Sequence, residues 1–292
     1  ITVTNANDAP SITSASTASV AENQTAAIDV NHSDVDTGDT ITYTLSGGAD
    51  SALFNINSGT GVVTFKAAPN FESAGDANTD NDYVIEVTAT DDGTGTLTAT
   101  QTITITVTDA NDAPAITSAS TASVAENQTS AIDVNHSDAD GDTITYTLTG
   151  SVDDALFNIN ATTGVVTFKA APNFESAGDA NTDNDYVIEV TATDDGTGTL
   201  TATQTITITV TDANDAPAIT SASTASVAEN QTSAIDVNHS DADGDTITYT
   251  LSGGADSALF NINATTGVVT FKAAPNFESA GDANTDNDYV IE

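Results

Sequence analysis

Apolar and hydroxyl-bearing residues alternate along much of the chain, and this alternation predicts β-strands. Residues 205–211 read TITITVT, residues 143–148 read TITYTL, and residues 186–192 alternate less regularly. A period of two with β-branched residues on one face is typical of half-buried antiparallel strands. Residues 164–168 (GVVTF) predict another strand, and residues 195–198 (DGTG) predict a turn between the last two long strands. No segment has helical periodicity with caps, so we predict an all-β fold.

The density of strands predicts a β-sandwich, because about seven short strands fall within about a hundred residues. A unit of this size can support its own hydrophobic core. In the middle unit the predicted core residues are Ile116, Val124, Ile132, Val134, Ile144, Tyr146, Leu148, Leu156, Phe157, Ile159, Val166, Phe168, Tyr186, Ile188, Val190, Ile206, Ile208 and Val210.

The whole pattern is repeated along the chain. The hexapeptide DANDAP at 109–114 returns at 212–217, and nearly everything between the two copies returns with it. A period of roughly a hundred residues is domain-sized and longer than that of solenoid repeats. The predicted units are residues 1–8 (the end of a preceding repeat), 9–112, 113–215 and 216–292. The last unit is predicted to be incomplete, because Glu292 corresponds to Glu189 of the middle unit.

Charge narrows the possible partners of this chain. Its formal net charge is −40, with 43 acidic residues against three lysines and no arginine. Such a field repels nucleic acids and anionic membranes and attracts cations.

No apolar run is long enough to span a bilayer, so we predict no membrane insertion of this fragment. Without cysteine there is no disulfide framework or thiol chemistry. No nucleophile–base arrangement is apparent either, so we predict that the chain is not an enzyme.

Oxygen-bearing residues gather where one unit meets the next. DANDAP lies at the joints, DADGD occupies 138–142, and Glu126 and Glu175 stand among neutral neighbours. Calcium takes six to eight oxygen ligands from carboxylates, amides and backbone carbonyls. One loop cannot supply that number, but several loops converging at a joint can. The pattern therefore predicts cation sites between units.

These motifs, in this order, resemble a cadherin repeat. The resemblance rests on VAEN at 124–127, DAD at 138–140, ITY at 144–146, FNIN at 157–160, TGVV at 163–166, FE at 174–175, ATD at 192–194 and DANDAP at 212–217. It is closest to the cadherin-like domains in the extender or stalk region of large bacterial surface adhesins. It implies seven-stranded, Greek-key, immunoglobulin-like sandwiches in an elongated, monomeric rod. It also implies an extracellular location at a bacterial cell surface, with neighbouring repeats of the same chain as partners.

The resemblance further implies which residues hold Ca²⁺ at each joint. In cadherins the upstream repeat and linker, together with an Asp-x-Asp pair and a late aspartate of the downstream repeat, surround the ions. At the first joint the matching residues are Glu22, Glu72, Asp109, Asn111, Asp112, Asp138, Asp140 and Asp194, with backbone oxygens of Ala110 and Ala113. At the second they are Glu126, Glu175, Asp212, Asn214, Asp215, Asp241 and Asp243, and the late aspartate would lie beyond Glu292. At the N-terminal end, Asn7, Asp8, Asp34, Asp36 and Asp91 could form only the downstream part of a site.

Two departures from the family pattern reduce the expected number of ions. Asn70 and Asn173 stand where the family has the aspartate of an upstream Asp-x-Glu pair. The linker is also one residue shorter than the usual form, because Ala113 and Pro114 follow Asp112 directly. We expect two or three Ca²⁺ ions at a complete joint and fewer at either end.

Several interpretations remain open at the level of sequence. The repeats are predicted to be calcium-rigidified spacers that project a distal ligand-binding region away from the cell. Alternatively, they adhere directly, by homophilic or glycan binding in cell–cell or biofilm contact, or they form a salt-adapted stalk without specific calcium sites. Residues 179–185 are either a separate calcium loop or, as we favour, a solvated turn. His32, His136 and His239 are either pH sensors or, as we favour, packed strand ends.

Overall fold

The computed structural model describes residues 1–292, and its first repeat contains nine hydrogen-bonded strand segments. They are β1 (Ser11–Ile12), β2 (Thr17–Ala21), β3 (Ala26–Asp29), β4 (His32–Ser33), β5 (Thr42–Gly47), β6 (Phe54–Ile56), β7 (Val62–Phe65), β8 (Asp82–Thr90) and β9 (Thr98–Thr108). The second repeat has the same order: β10 (Ala115–Ile116), β11 (Thr121–Ala125), β12 (Ser130–Asp133), β13 (His136–Ser137), β14 (Thr145–Leu148), β15 (Phe157–Ile159), β16 (Val165–Phe168), β17 (Asp185–Thr193) and β18 (Thr201–Thr211).

Two sheets pack face to face in each of these repeats. One has the order β2-β9-β8-β5 and the other the order β3-β7-β6, while β1 pairs with β4. Each of these repeats has one parallel pairing, β2–β9 in the first and β11–β18 in the second. We count β1 and β2 as one strand that passes from one sheet to the other, and β3 and β4 as consecutive parts of one strand. The nine segments of a complete repeat then form seven strands, so the predicted all-β sandwich is confirmed.

The apolar strand faces meet in a separate core for each repeat. The core of the second repeat contains 14 buried residues, and that of the first contains 13. Every residue predicted for the second core either belongs to it or packs against it partly buried. Ala131 and Ala192 are buried there as well, although their small side chains gave no strong pattern. Phe168 and Tyr186 meet edge to face at 5.2 Å, an arrangement that aromatic rings favour.

The third repeat forms only part of this sandwich. Its strands are β19 (Ala218–Ile219), β20 (Ser233–Asp236), β21 (His239–Ser240), β22 (Phe260–Ile262) and β23 (Val268–Phe271). The sequence ends at Glu292 and includes no counterpart of β18, which pairs with β11 in the second repeat. Phe277 is therefore 67% exposed and Val290 57% exposed.

Helices contribute little to the structure. Three one-turn 3-10 helices lie at Ser51–Leu53, Asp154–Leu156 and Ser257–Leu259, each just before a short strand. The structure contains no helix with the length and apolar content needed to cross a membrane.

The loop at 179–185 is a turn held by two buried aspartates. Asp153 accepts hydrogen bonds from Ala180 N (2.9 Å) and Val187 N (2.8 Å), and Asp179 accepts them from two backbone N–H groups of its own loop. Burial alone would raise the pKa of Asp179, but these backbone donors outweigh it and lower the pKa. Because these carboxylates are already satisfied by backbone groups, the geometry favours a turn over a separate calcium loop.

Candidate metal centre

The linker at the first joint contacts both neighbouring repeats through one residue. Asn23 Nδ2 of the upstream repeat donates to Asp112 Oδ1 at 2.7 Å. The backbone N–H of Asp112 donates to Asp140 Oδ2 of the downstream repeat at 2.7 Å. Asn23 can reach the linker because it has a left-handed backbone conformation (φ 61°), which asparagine tolerates. Asp112 thus hydrogen-bonds the linker between β9 and β10 to both repeats.

An upstream group of carboxylates forms around Glu22. This residue is only 3% exposed, and it accepts hydrogen bonds from Phe71 N (2.7 Å) and Ala110 N (3.0 Å). These two bonds bring the loop after β7 and the linker to one place. As a result, carboxylate oxygens of Glu22, Glu72 and Asp109 all lie within 4.8 Å of one another.

A downstream group forms in the loop between β13 and β14. Carboxylate oxygens of Asp138, Asp140 and Asp142 lie within 4.8 Å of one another. Asp194, which is 3% exposed at the end of β17, accepts a hydrogen bond from Asn111 Nδ2 of the linker at 3.1 Å. The Asp140 carboxylate also raises the pKa of Asp109, so the two groups influence each other across the joint.

Several oxygens in the downstream group have no hydrogen-bond donor. Asp138 Oδ2 and Asp142 Oδ2 are excluded from solvent and have no partner, and the same is true of Asp34 Oδ2 and Asp39 Oδ2 in the first repeat. A buried polar atom without a partner is costly and rare in native proteins. The lysines are occupied elsewhere, each donating to a backbone carbonyl in its own repeat. An all-oxygen donor set of this kind fits a hard cation such as calcium.

The crowding of carboxylates changes their protonation. Burial is the largest cause that raises the pKa of Asp109 and Asp142, and neighbouring carboxylates raise it further. For Asp109 the next cause is contact with Asp140, and for Asp142 it is the charge of Asp138. The pKa of Glu72 is raised by burial and by neighbouring carboxylates as well. The joint therefore holds like charges at a free-energy cost when no cation is present.

This cost predicts how stability depends on pH in metal-free buffer. A carboxylate with a raised pKa binds protons more readily in the folded state, so it destabilises the fold as pH rises above the unfolded pKa. We expect protein freed of metal on a chelating resin to have a higher melting temperature at pH 4.5, near the unfolded pKa values, than at pH 7. The lowered pKa of Asp179 acts in the opposite direction only at more acidic pH, near or below 3.8. Calorimetry at both pH values tests this, and a higher melting temperature at pH 7 would contradict it.

The other two joints have related but unequal arrangements. At the second joint Glu126 accepts from Phe174 N and Ala213 N, as Glu22 does at the first, and lies close to Glu175 and Asp212. Asn127 Nδ2 donates to Asp215 Oδ1, and the backbone N–H of Asp215 donates to Asp243 Oδ2. Carboxylate oxygens of Asp241, Asp243 and Asp245 lie close together. Asn214, however, donates to the backbone oxygen of Asp215 at 3.0 Å.

At the N-terminal end the structure brings together the downstream part of a joint. Asp8 N donates to Asp36 Oδ2 at 2.6 Å, and Asn7 Nδ2 donates to Asp91 Oδ2 at 3.0 Å. Asp34 lies in the same group as Asp36. All the side chains predicted from the sequence as ligands therefore lie at the joints to which they were assigned, and their ligand roles stay predictions.

The structure also shows the hydrogen bonding of the two predicted backbone ligands and of the asparagines that replace a family aspartate. The carbonyl oxygens of Ala110 and Ala113 accept no hydrogen bond. Asn173 Nδ2 donates to Glu175 Oε2 at 3.3 Å, and Asn70 Oδ1 is buried without a partner. The two asparagines thus lie beside the upstream carboxylates without adding to their charge.

The sequence prediction missed some residues at the joints. Asp39, Asp142 and Asp245 complete the downstream groups, and Asn23 and Asn127 position the linker aspartates. The first three follow an Asp-x-Asp pair, and a third acidic residue in the same short loop was a usable signal. The two amides had no comparable signal, because their contacts are with residues almost ninety positions away.

His136 does not contact this carboxylate cluster. Its Nδ1 lies 2.5 Å from Oη of the buried Tyr146, and their rings are tilted against each other. The same pair occurs as His32–Tyr43 and His239–Tyr249. The geometry favours packing at a strand end over pH sensing by these histidines.

Comparisons with known proteins relate this architecture to one family. The model of the Cadherin domain family matches residues 16–108 and 120–211. Among solved structures, mouse cadherin-23 EC22-24 aligns with 94% of this chain and 91% of its own length, at 22% identity and a TM-score of 0.54. Human CDH23 EC21-23 aligns with 93% of this chain and 92% of its own, at 20% identity and a TM-score of 0.53. These identities support the fold alone. Comparison with curated protein sequences gave no match.

Proposed function

The chain belongs to the cadherin domain family, and on this basis we propose that its repeats form a calcium-rigidified spacer. Cadherin repeats are extracellular adhesion or extender modules without enzymatic activity, and they generally bind Ca²⁺ at the junctions between repeats. The finer proposal is that these repeats, with boundaries at 9–112, 113–215 and 216–292, belong to a large bacterial surface adhesin. There they hold a distal ligand-binding region away from the cell.

The observation that carries this proposal is the shared carboxylate cluster at the first joint. Glu22 and Asp109 come from the upstream repeat and linker, while Asp140 comes from the downstream repeat and accepts a hydrogen bond from the linker at Asp112 N. The Asp140 carboxylate also raises the pKa of Asp109. Like charges this close across a joint repel each other, so they oppose a fixed arrangement of the repeats. A cation that both repeats ligate would reverse this effect.

The residues proposed to hold the ions are those predicted for each joint, and two or three ions are proposed for the first. Bound Ca²⁺ would supply positive charge and fixed coordination distances, so that oxygens of two repeats become ligands of the same ion. The chain contributes the positions of those oxygens. The backbone bonds to Glu22 fix the upstream oxygens, and the bonds of Asp112 to Asn23 and Asp140 fix the linker.

Near-identity of the repeats supports a spacer over an adhesive surface. A surface that recognises one ligand normally needs sequence particular to one repeat, and these copies differ at few positions. The most exposed apolar side chains of the complete repeats, Val35 (77%) and Val152 (73%), stand singly in loops. Scattered exposed apolar residues of this kind are normal and do not form a patch.

Small-angle X-ray scattering of this chain in calcium and in chelator tests the proposal. We expect a longer, narrower distribution of interatomic distances in calcium and a broader, more bent ensemble in chelator. Magnesium at the same ionic strength is the control, because simple screening of charge would act equally with either ion. Equal rigidity with and without calcium would favour a plain stalk, and self-association in calcium would favour an adhesive module. Either result would overturn the proposed spacer.

A further inference from the structure

We propose that Asp142 supplies a carboxylate ligand at the downstream side of the first joint, and that Asp39 does the same at the N-terminal joint. This inference rests on the proposed function. It concerns a position outside the Asp-x-Asp pair and the late aspartate, and it assigns the side chain a direct role. The sequence places an acidic residue there in every repeat.

The first argument is the direction in which the Asp142 carboxylate points. Its Oδ2 is excluded from solvent and has no hydrogen-bond partner, as is the case for Asp138 Oδ2 in the same loop. A methyl group added at Gly196 would lie 2.1 Å from Asp142 Oδ2 and 1.8 Å from Asn111 Oδ1. Oxygens from the linker and from the β13–β14 loop therefore converge beside a residue that has no side chain. This convergence is what an oxygen-liganded cation requires.

The same arrangement is found at the N-terminal joint. A methyl group at Gly93 would lie 2.0 Å from Asn7 Oδ1 and 2.6 Å from Asp39 Oδ2, and Asp39 Oδ2 is also buried without a partner. The loop containing Asp39 is one residue longer than the loop containing Asp142. The carboxylate nevertheless reaches the same place.

The third repeat provides an internal comparison. Asp245 occupies the position in the DADGD loop of the third repeat that Asp142 occupies in the second. Its N–H donates to Asp241 Oδ1 at 2.9 Å, as the N–H of Asp142 does to Asp138 Oδ1 at 3.0 Å. Asp245 is nevertheless exposed, whereas Asp142 is partly buried. The difference is the loop between β17 and β18, which lies against Asp142 through Gly196 and bonds the neighbouring Thr143 through Asp195. The enclosed position thus depends on a complete repeat.

A carboxylate here also redistributes charge across the joint. Asn70 stands where the family has an aspartate upstream of the first joint, so one negative charge is absent on that side. Asp142 adds one on the downstream side, among Asp138 and Asp140. The downstream side of the joint thus presents three carboxylates from one short loop.

The test compares Asp142→Asn with Glu189→Gln in this chain. Both replace one carboxylate by its amide, but Glu189 lies in the middle of β17 and belongs to none of the carboxylate groups at the joints. We expect isothermal titration with calcium to show one ion bound at least about 10-fold more weakly in D142N, because a loss of this scale is seen even when only an outer partner of a metal ligand is changed. E189Q, which loses the same charge, should match the unchanged chain.

A second measurement separates ligation from a merely structural role. In chelator D142N should melt at the same or a higher temperature than the unchanged chain, because it removes an unpartnered buried charge. A structural role would lower that temperature. Gly196→Ala should lose the same ion, since its methyl group would occupy the space between the two oxygens.

The possible results distinguish the two proposals. If the unchanged chain binds no calcium, the proposed function fails. If it binds calcium and D142N binds the same number of ions with the affinity of E189Q, the assignment of Asp142 is overturned while the proposed function stands. A D142N chain that melts lower in chelator would also overturn the assignment.

Discussion

Removal of calcium is expected to lower the melting temperature of the two complete repeats by about 10 °C or more. A ligand that binds only the folded state stabilises it by about 2.7 kcal/mol when its concentration is 100 times Kd. Extracellular calcium modules have Kd values of about 10⁻⁴–10⁻³ M, so roughly 10 mM free calcium reaches that ratio for the tighter sites. For a domain of this size about 1 kcal/mol shifts the melting temperature by about 4–8 °C.

Differential scanning calorimetry in calcium, in magnesium and in chelator measures this effect. The joint carboxylates have no lysine partner, since each lysine donates to a backbone carbonyl. The cation should therefore account for most of the change at the joint. Melting curves that superimpose in calcium and in chelator would show that the acidic groups are only a charged surface.

Substitution of Glu22 by alanine should have the second large effect, in two separable parts. Without calcium it leaves the N–H groups of Phe71 and Ala110 without their acceptor, which should cost about 2–4 kcal/mol of unfolding free energy in the first repeat. With calcium it should in addition remove the stabilisation of the first joint, because a buried ligand of the upstream group is lost. Thermal unfolding in chelator and in calcium measures the two parts.

Glu126→Ala is the matched control for this substitution. Glu126 makes the same two backbone bonds, to Phe174 N and Ala213 N, so the cost without calcium should be similar. Its joint lacks the late aspartate in this chain, so the additional loss in calcium should be smaller than for E22A. If both variants lose the same amount in both conditions, Glu22 acts only as a structural anchor.

The strands and the cores of this protein could be predicted from the sequence because the responsible interactions are local in pattern. Residues two apart point to the same face of a strand, so the alternation of threonine with isoleucine and valine marks the buried face directly. Ile206 and Ile208 were predicted in this way and are fully buried. Ala192 was missed, because the burial of an alanine depends on the opposing sheet rather than on its own size.

The positions of the predicted ligand residues were inferred less directly, since they depended on the resemblance of ordered motifs to one family. The structure brings Glu22, Glu72 and Asp109 together from three separate segments. It also adds Asp142, whose burial no local pattern indicates. Asn23 is a further case, because its contact with Asp112 joins residues that are far apart in the sequence.

Pairs of identical motifs show which features of this protein the sequence determined and which only the tertiary structure decided. The sequence by itself determined the alternating strands, the repeat, the acidic joints and the absence of compensating cations there. The local motifs do not distinguish Asn111 from Asn214, or Asp142 from Asp245, because each pair occupies the same motif. Asn111 donates to Asp194 and Asp142 is enclosed, whereas Asn214 donates to its own linker and Asp245 is exposed. The physical reason is that their partners lie on the β17–β18 loop, more than fifty residues further along the chain, and only a complete sandwich brings that loop to the joint.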